Sequence, residues 1–97
     1  MYITLAWKPT NGASTATVEA ALDQQLAQRN FTNVFKPYDH FLIANVPGNK
    51  KSPIDDLQTA LRGLDMSFTI SATQRGWTMW RSPDISEQQL EDICDAD

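Results

Sequence analysis

Phe31-Thr32-Asn33-Val34-Phe35-Lys36-Pro37-Tyr38-Asp39-His40-Phe41-Leu42-Ile43-Ala44-Asn45-Val46 is the stretch that decides how this chain folds. Phe31, Val34 and Phe35 form a short extended run. Lys36-Pro37-Tyr38-Asp39 reads as a hairpin turn, because proline presets one dihedral and aspartate can bond its own backbone. The chain then returns from His40 to Val46, nearly continuous in apolar character through Phe41, Leu42, Ile43, Ala44 and Val46, as suits a central strand. One strand-helix-strand unit ends here and a second opens.

On the N-terminal side, Ile3, Leu5 and Trp7 alternate with Tyr2, Thr4 and Ala6 at the period of a half-buried strand, which Pro9 and Gly12 end. After a polar loop, Val18, Ala21, Leu22, Gln25 and Leu26 recur at three and four positions, the spacing of one helix face, and Asn30 stops that helix. On the C-terminal side, Pro47-Gly48-Asn49 is a turn. Ser52-Pro53-Ile54-Asp55 then offers an N-cap serine, a proline at the first helical position and an acid in the first turn. Ile54, Leu57, Leu61 and Leu64 make the face of this second helix, closed at Gly63 or at Leu64-Asp65. Phe68, Ile70 and Ala72 alternate with Thr69, Ser71 and Thr73. Gln74-Arg75-Gly76 is a turn, and Trp77 to Trp80 is β-prone enough to fold back as an added short strand. In a last short helix, Ser86 and Gln89 form a capping box and Ile85 and Leu90 a staple, with only Leu90 and Ile93 to anchor it.

The order strand, helix, strand, strand, helix, strand gives an α+β class and predicts a ferredoxin-like split β-α-β (βαββαβ) two-layer sandwich with an appended short C-terminal strand and helix. Residues 1–81 form the domain and 82–97 an acidic helix or tail. Right-handed crossovers put both helices on one face of an antiparallel sheet. The other face is expected to carry Tyr2, Thr4, Leu42, Ala44, Thr69 and Ser71. With Leu42 and Val46 uncovered that face is a liability, which dimerisation through the sheet or capping by the C-terminal segment remedies.

At 97 residues the chain has room for one core. It shows no charged-then-apolar leader and no apolar run near the ~18 residues a membrane span needs, so no membrane association is expected. One cysteine, Cys94, excludes an intramolecular disulfide and fits a reducing, cytoplasmic setting. The net charge of −4 conceals a division: residues 1–81 carry all eight bases and six acids, while 82–97 carry six acids and no base. This acidic tail either screens a basic patch on its own domain, is offered to a basic partner, or simply keeps the chain soluble.

Chemistry-bearing groups are few. His40 is the only histidine, and Asp39 beside it on a strand would point the other way, against a general-base pair. One His and one Cys cannot build a zinc site. Asp55 reads as a first-turn cap and Asp56 as a surface charge. No serine sits in a nucleophile elbow, Cys94 lies among acids that oppose a thiolate, and isolated Gly48 and Gly76 cradle no phosphate. No catalytic residue, metal ligand or cofactor is therefore assigned. What remains is a surface: Arg75, Trp77, Met79, Trp80 and Arg81 lie together, a composition that suits core packing, a protein interface, or base stacking with phosphate pairing. Trp77, Met79, Trp80 and Leu42 are the expected protein-interface residues, and Lys8, Lys36, Arg75 and Arg81 the nucleic-acid contacts if RNA is the partner.

The opening Met1-Tyr2-Ile3-Thr4-Leu5-Ala6-Trp7, the helix Thr17 to Arg29 with Phe31 to Phe35, then His40-Phe41-Leu42-Ile43-Ala44 and Ser52-Pro53-Ile54-Asp55-Asp56-Leu57, resemble in order and length the small ferredoxin-like proteins related to the CRISPR-associated endoribonuclease, including the SinR-like and VapD-like groups. The resemblance covers residues 1 to about 80. It implies a homodimer with facing sheets, a C-terminal strand that crosses to the partner, and a setting such as a defence or toxin-antitoxin locus. The nuclease members end their first strand on an aspartate that positions a metal between subunits. Here that end reads Trp7-Lys8-Pro9, and a protonated lysine is no metal ligand. Unless Asp39 or Asp65 takes over, metal-dependent RNA cleavage by that route is not expected, and Lys8 is left as a phosphate contact. The preferred expectation is a non-catalytic homodimeric interaction or regulatory module. The alternative is an RNA-binding protein or a weak metal-dependent endoribonuclease.

Overall fold

Alternation, helical periodicity and turn residues resolve into five strands and two helices in the computed structural model, which describes residues 1–74 and the backbone of the strand 77–81. Strand β1 spans Tyr2–Pro9, helix α1 Thr15–Gln28, β2 Thr32–Tyr38, β3 Phe41–Asn45, helix α2 Ser52–Leu61, β4 Met66–Gln74 and β5 Trp77–Arg81. The sheet is antiparallel in the order β2-β3-β1-β4-β5. The class is therefore α+β, and Trp77–Arg81 is the additional strand expected from its composition, paired along the outer side of β4. Segment 82–97, with its capping box, staple, Cys94 and acidic charge, lies outside the described residues, as do Arg75, Gly76 and the side chains of Trp77, Met79, Trp80 and Arg81.

Helix α1 starts because Ser14, extended at φ −77° and ψ 149°, accepts the Thr17 N–H on its Oγ at 3.1 Å. It stops because Asn30 turns left-handed at φ 62°, after which the Asn30 N–H bonds the Ala27 carbonyl and the Phe31 N–H the Leu26 carbonyl. That pair of bonds satisfies carbonyls the helix end would leave orphaned. Helix α2 begins one residue earlier than its sequence suggests: Lys51 precedes it without a side-chain cap, Ser52 is already helical and Pro53 follows. Closure comes at Arg62, before Gly63. Val18, Leu22 and Leu26 of α1 and Ile54, Leu57 and Leu61 of α2 are buried in one cluster with Ile3, Leu5 and Trp7 of β1 and Phe68, Ile70 and Ala72 of β4. Each fully buried leucine there contributes about 1.5–3 kcal/mol.

The middle of the chain departs from its sequence reading in two ways. The turn falls at Asp39 and His40, and β2 runs straight through Lys36, Pro37 and Tyr38. Pro37 is tolerated because β2 is an edge strand, where a missing N–H costs no ladder bond on the outer side. The second correction concerns β3. Leu42 and Ala44, expected on the face away from the helices, pair with Leu5 and Ile3 and are buried in the core, and Val46 joins them. The reason is register. Paired residues of adjacent strands share a face, so once Ile3 and Leu5 are committed to the helices Leu42 and Ala44 follow. The face away from the helices instead holds Tyr2, Thr4, Ala6 and Lys8 of β1, Phe41, Ile43 and Asn45 of β3, and Ser67, Thr69, Ser71 and Thr73 of β4.

Candidate functional site

Two features meet at one corner of the sheet: an aromatic patch on its open face and a crevice around the β2–β3 turn. The patch follows from β2. Thr32, Phe35 and Tyr38 stand opposite Asn45, Ile43 and Phe41, with register shifts between each successive pair. Three residues of β2 thus span two of β3 twice over, one extra residue at each bulge. Asn33, left-handed at φ 52°, lies in the first of them. Because of both bulges, side chains three apart land on one face, and Phe35 and Tyr38 join Ile43 and Phe41 on the open side of the sheet. Phe35 is 61% exposed and Tyr38 74% exposed. The rings of Tyr38 and Phe41 lie 6.0 Å apart, tilted by 52°, a favourable aromatic arrangement.

Lys36, between the two aromatics, emerges on the helix side. Its Nζ lies 2.8 Å from Glu19 Oε1 and 2.8 Å from an Asp23 carboxylate oxygen, two acids four apart on one face of α1. Burial pulls the Lys36 pKa down, but the hydrogen bonds to Asp23 and Glu19 and their negative charges outweigh it, and the pKa lies above the ordinary 10.5. A raised value means that the stabilisation is complete below the unfolded pKa and is lost as pH climbs through the folded one. With the Lys36 side chain a third exposed, solvent screens the pair, leaving about 0.5–1 kcal/mol. Wild type is therefore expected to exceed Lys36→Met in stability by that margin at neutral pH, and chemical denaturation repeated from neutral to strongly alkaline buffer should show the margin shrinking above about pH 10.5.

The crevice has a volume of about 310 Å³ and is walled by residues of β1, α1, β2 and the turn. His40 is its pivot. The His40 backbone is left-handed at φ 60°, and its carbonyl accepts the Trp7 N–H at 3.0 Å, tying the turn to β1. The imidazole lies 4.6 Å from the Trp7 ring, with Nε2 3.4 Å from Thr15 Oγ1. Among the described residues the other left-handed non-glycines are all asparagines, which tolerate that conformation better than histidine does. Ring contact offsets backbone strain here. His40→Ala, which loses the contact and keeps the strain, is expected to cost about 1–2 kcal/mol in urea unfolding, and His40→Gly, which relieves the strain, clearly less.

The residues singled out from sequence are scattered by this fold. Leu42 is fully buried and presents no surface to a partner. Lys8 opposes Ser67 on the open face, whereas Lys36 sits on the helix side, so these two cations do not converge. By register Trp77, Met79, Trp80 and Arg81 stand opposite Gln74, Ala72, Ser71 and Ile70, with their side chains, and Arg75 altogether, outside the described residues. Asp65 accepts a hydrogen bond from the Asn11 side chain at 3.2 Å and its carbonyl one from the Thr10 N–H at 2.9 Å, which fastens the loop after β1. Among the described residues no three His, Cys, Asp or Glu side chains are grouped to hold a metal ion. Phe35 and Tyr38 escape a sequence reading that looks for period two; their signal is the three-residue spacing of 32, 35 and 38 around a proline. No protein-family model, curated protein or solved structure matches this chain.

Proposed function

We propose that this chain is a homodimeric protein-interaction module, with no catalysis of its own, that associates through the open face of its sheet. The observation that carries the reading is the aromatic and aliphatic group Phe35, Tyr38, Phe41 and Ile43 on the face opposite the helices, with Phe35 and Tyr38 more than half exposed. Apolar patches of this kind on small domains mark interfaces. A twofold contact in which each protomer offers the same patch covers both copies at once. The finer architecture within this proposal is the ferredoxin-like βαββαβ sandwich extended by β5. Its support is the central order β2-β3-β1-β4, in which each helix connects strands separated by one other strand. A regulatory role in a setting such as a defence or toxin-antitoxin locus is what the family resemblance adds, and a cytoplasmic setting is what the single cysteine adds. Among the described residues no helix is long and apolar enough to cross a membrane.

Base stacking on the exposed rings is the competing use of the same face, since single-stranded RNA is often read by aromatics on a sheet. Charge argues against it. Lys8 is the one described basic residue in register on that face, and Lys36 is already committed to Glu19 and Asp23. Sedimentation across a dilution series separates the two. An apolar dimer is expected to persist from low to high salt. RNA retention that fades steeply with salt, by a protein that sediments as a monomer throughout, would count for the nucleic-acid reading instead.

A further inference from the structure

We propose that the crevice beside the β2–β3 turn is a second binding site, for an organic cation: the guanidinium or ammonium group of an arginine- or amine-bearing ligand. Three features of the crevice select that chemistry. Its volume of about 310 Å³ falls at the small end of ligand pockets, enough for one long basic side chain or a small amine. Its walls include the aromatic residues Trp7, Tyr38 and Phe41, a residue type whose rings attract cations. Its charge is negative. Glu19 and Asp39 line it, Asp23 adjoins through Lys36, and the single ammonium of Lys36 is held between Glu19 and Asp23 at 2.8 Å each. Three carboxylates against one ammonium, His40 aside, leave a formal charge of minus two. Asp39 forms no ion pair or hydrogen bond among the described residues, so its carboxylate is the free acceptor at the mouth.

An anion is the natural rival, because Thr15 begins α1 and His40 stands beside it. The carboxylates decide against it. Glu19 and Asp39 repel an anion at short range, and the Thr17 N–H that would greet one is already taken by Ser14. A desolvated cation, by contrast, gains a charge-assisted bond to Asp39 together with ring contact. The site is separate from the dimer face in its charged groups, although Tyr38 and Phe41 border both.

The test is an NMR titration of the nitrogen-15-labelled full chain. The probes are N-acetyl-arginine amide, agmatine as a free small cation, N-acetyl-citrulline amide as the neutral near-isostere, and N-acetyl-glutamate amide. Saturable shifts at the Trp7 indole and at the amides of 38–41 are expected with the two cations. Agmatine binding as well as the arginine derivative supports a site for the cation alone; a stronger arginine derivative supports an arginine-bearing chain as the ligand. Asp39→Asn and, independently, Glu19→Gln should each weaken arginine binding by about fivefold, in variants whose remaining spectrum is unchanged. Citrulline or glutamate binding as tightly as arginine, the absence of saturable shifts with either cation, or arginine binding unaffected by both variants overturns the proposal. The groups altered in these variants, Asp39 and Glu19, are not among the residues of the proposed dimer face.

Discussion

Leu42→Ala is expected to lower the free energy of unfolding by about 2–5 kcal/mol, the cost of a cavity in a close-packed core. Ile43→Ala, one residue on, is expected to cost less than half as much. The contrast follows from register: Leu42 pairs with Leu5 and is fully buried among the helices, whereas Ile43 pairs with Thr4 on the open face and is only partly covered. A one-residue slip of β3 would exchange the two side chains. Urea unfolding of both variants, with the slope of the transition checked against wild type, reads the difference directly. Equal losses, or a larger loss at Ile43, would mean that β3 presents its other face to the core.

Much of this architecture is legible in the residues because local signals and burial agree. Ile3, Leu5 and Trp7 alternate as they are buried, Val18, Leu22 and Leu26 face the core as their spacing of four requires, and Asn30 ends α1 where a left-handed residue is needed. Failures cluster where tertiary structure overrides period. A run as apolar as Phe41 to Val46 gives no hint of which alternate set is inside, so Leu42 and Ala44 were assignable only through their pairing with β1. In β2, two bulges convert a period of two into a period of three, so Phe35 and Tyr38 share a face that alternation would deny them, and Pro37 poses as a turn residue inside an edge strand. The candidate site was less legible than the fold for the same reason. His40 and Trp7 are far apart in sequence and meet only because the turn folds back onto β1. The acidic crevice likewise needs α1 and β2 side by side before Glu19, Asp23 and Lys36 can come together.

The Phe35→Ser, Tyr38→Ser double variant carries the other large effect. Large aromatics at the centre of an interface each contribute about 2 kcal/mol or more, and in a twofold dimer every substitution acts twice. Allowing for non-additivity, a loss of at least about 4 kcal/mol is expected, roughly three orders of magnitude in Kd. The monomer should keep its fold. Both side chains are exposed on an edge strand, and removing them forfeits little beyond the Tyr38–Phe41 contact, about 1 kcal/mol. Solubility should improve as well, because the exposed patch on the sheet is reduced.

Sedimentation equilibrium of wild type beside this double variant, at matched micromolar concentrations and moderate salt, tests the central claim most directly. The account predicts a dimer for wild type and a folded monomer for the variant. A wild type that stays monomeric, or a variant that dimerises as tightly as wild type, would contradict it.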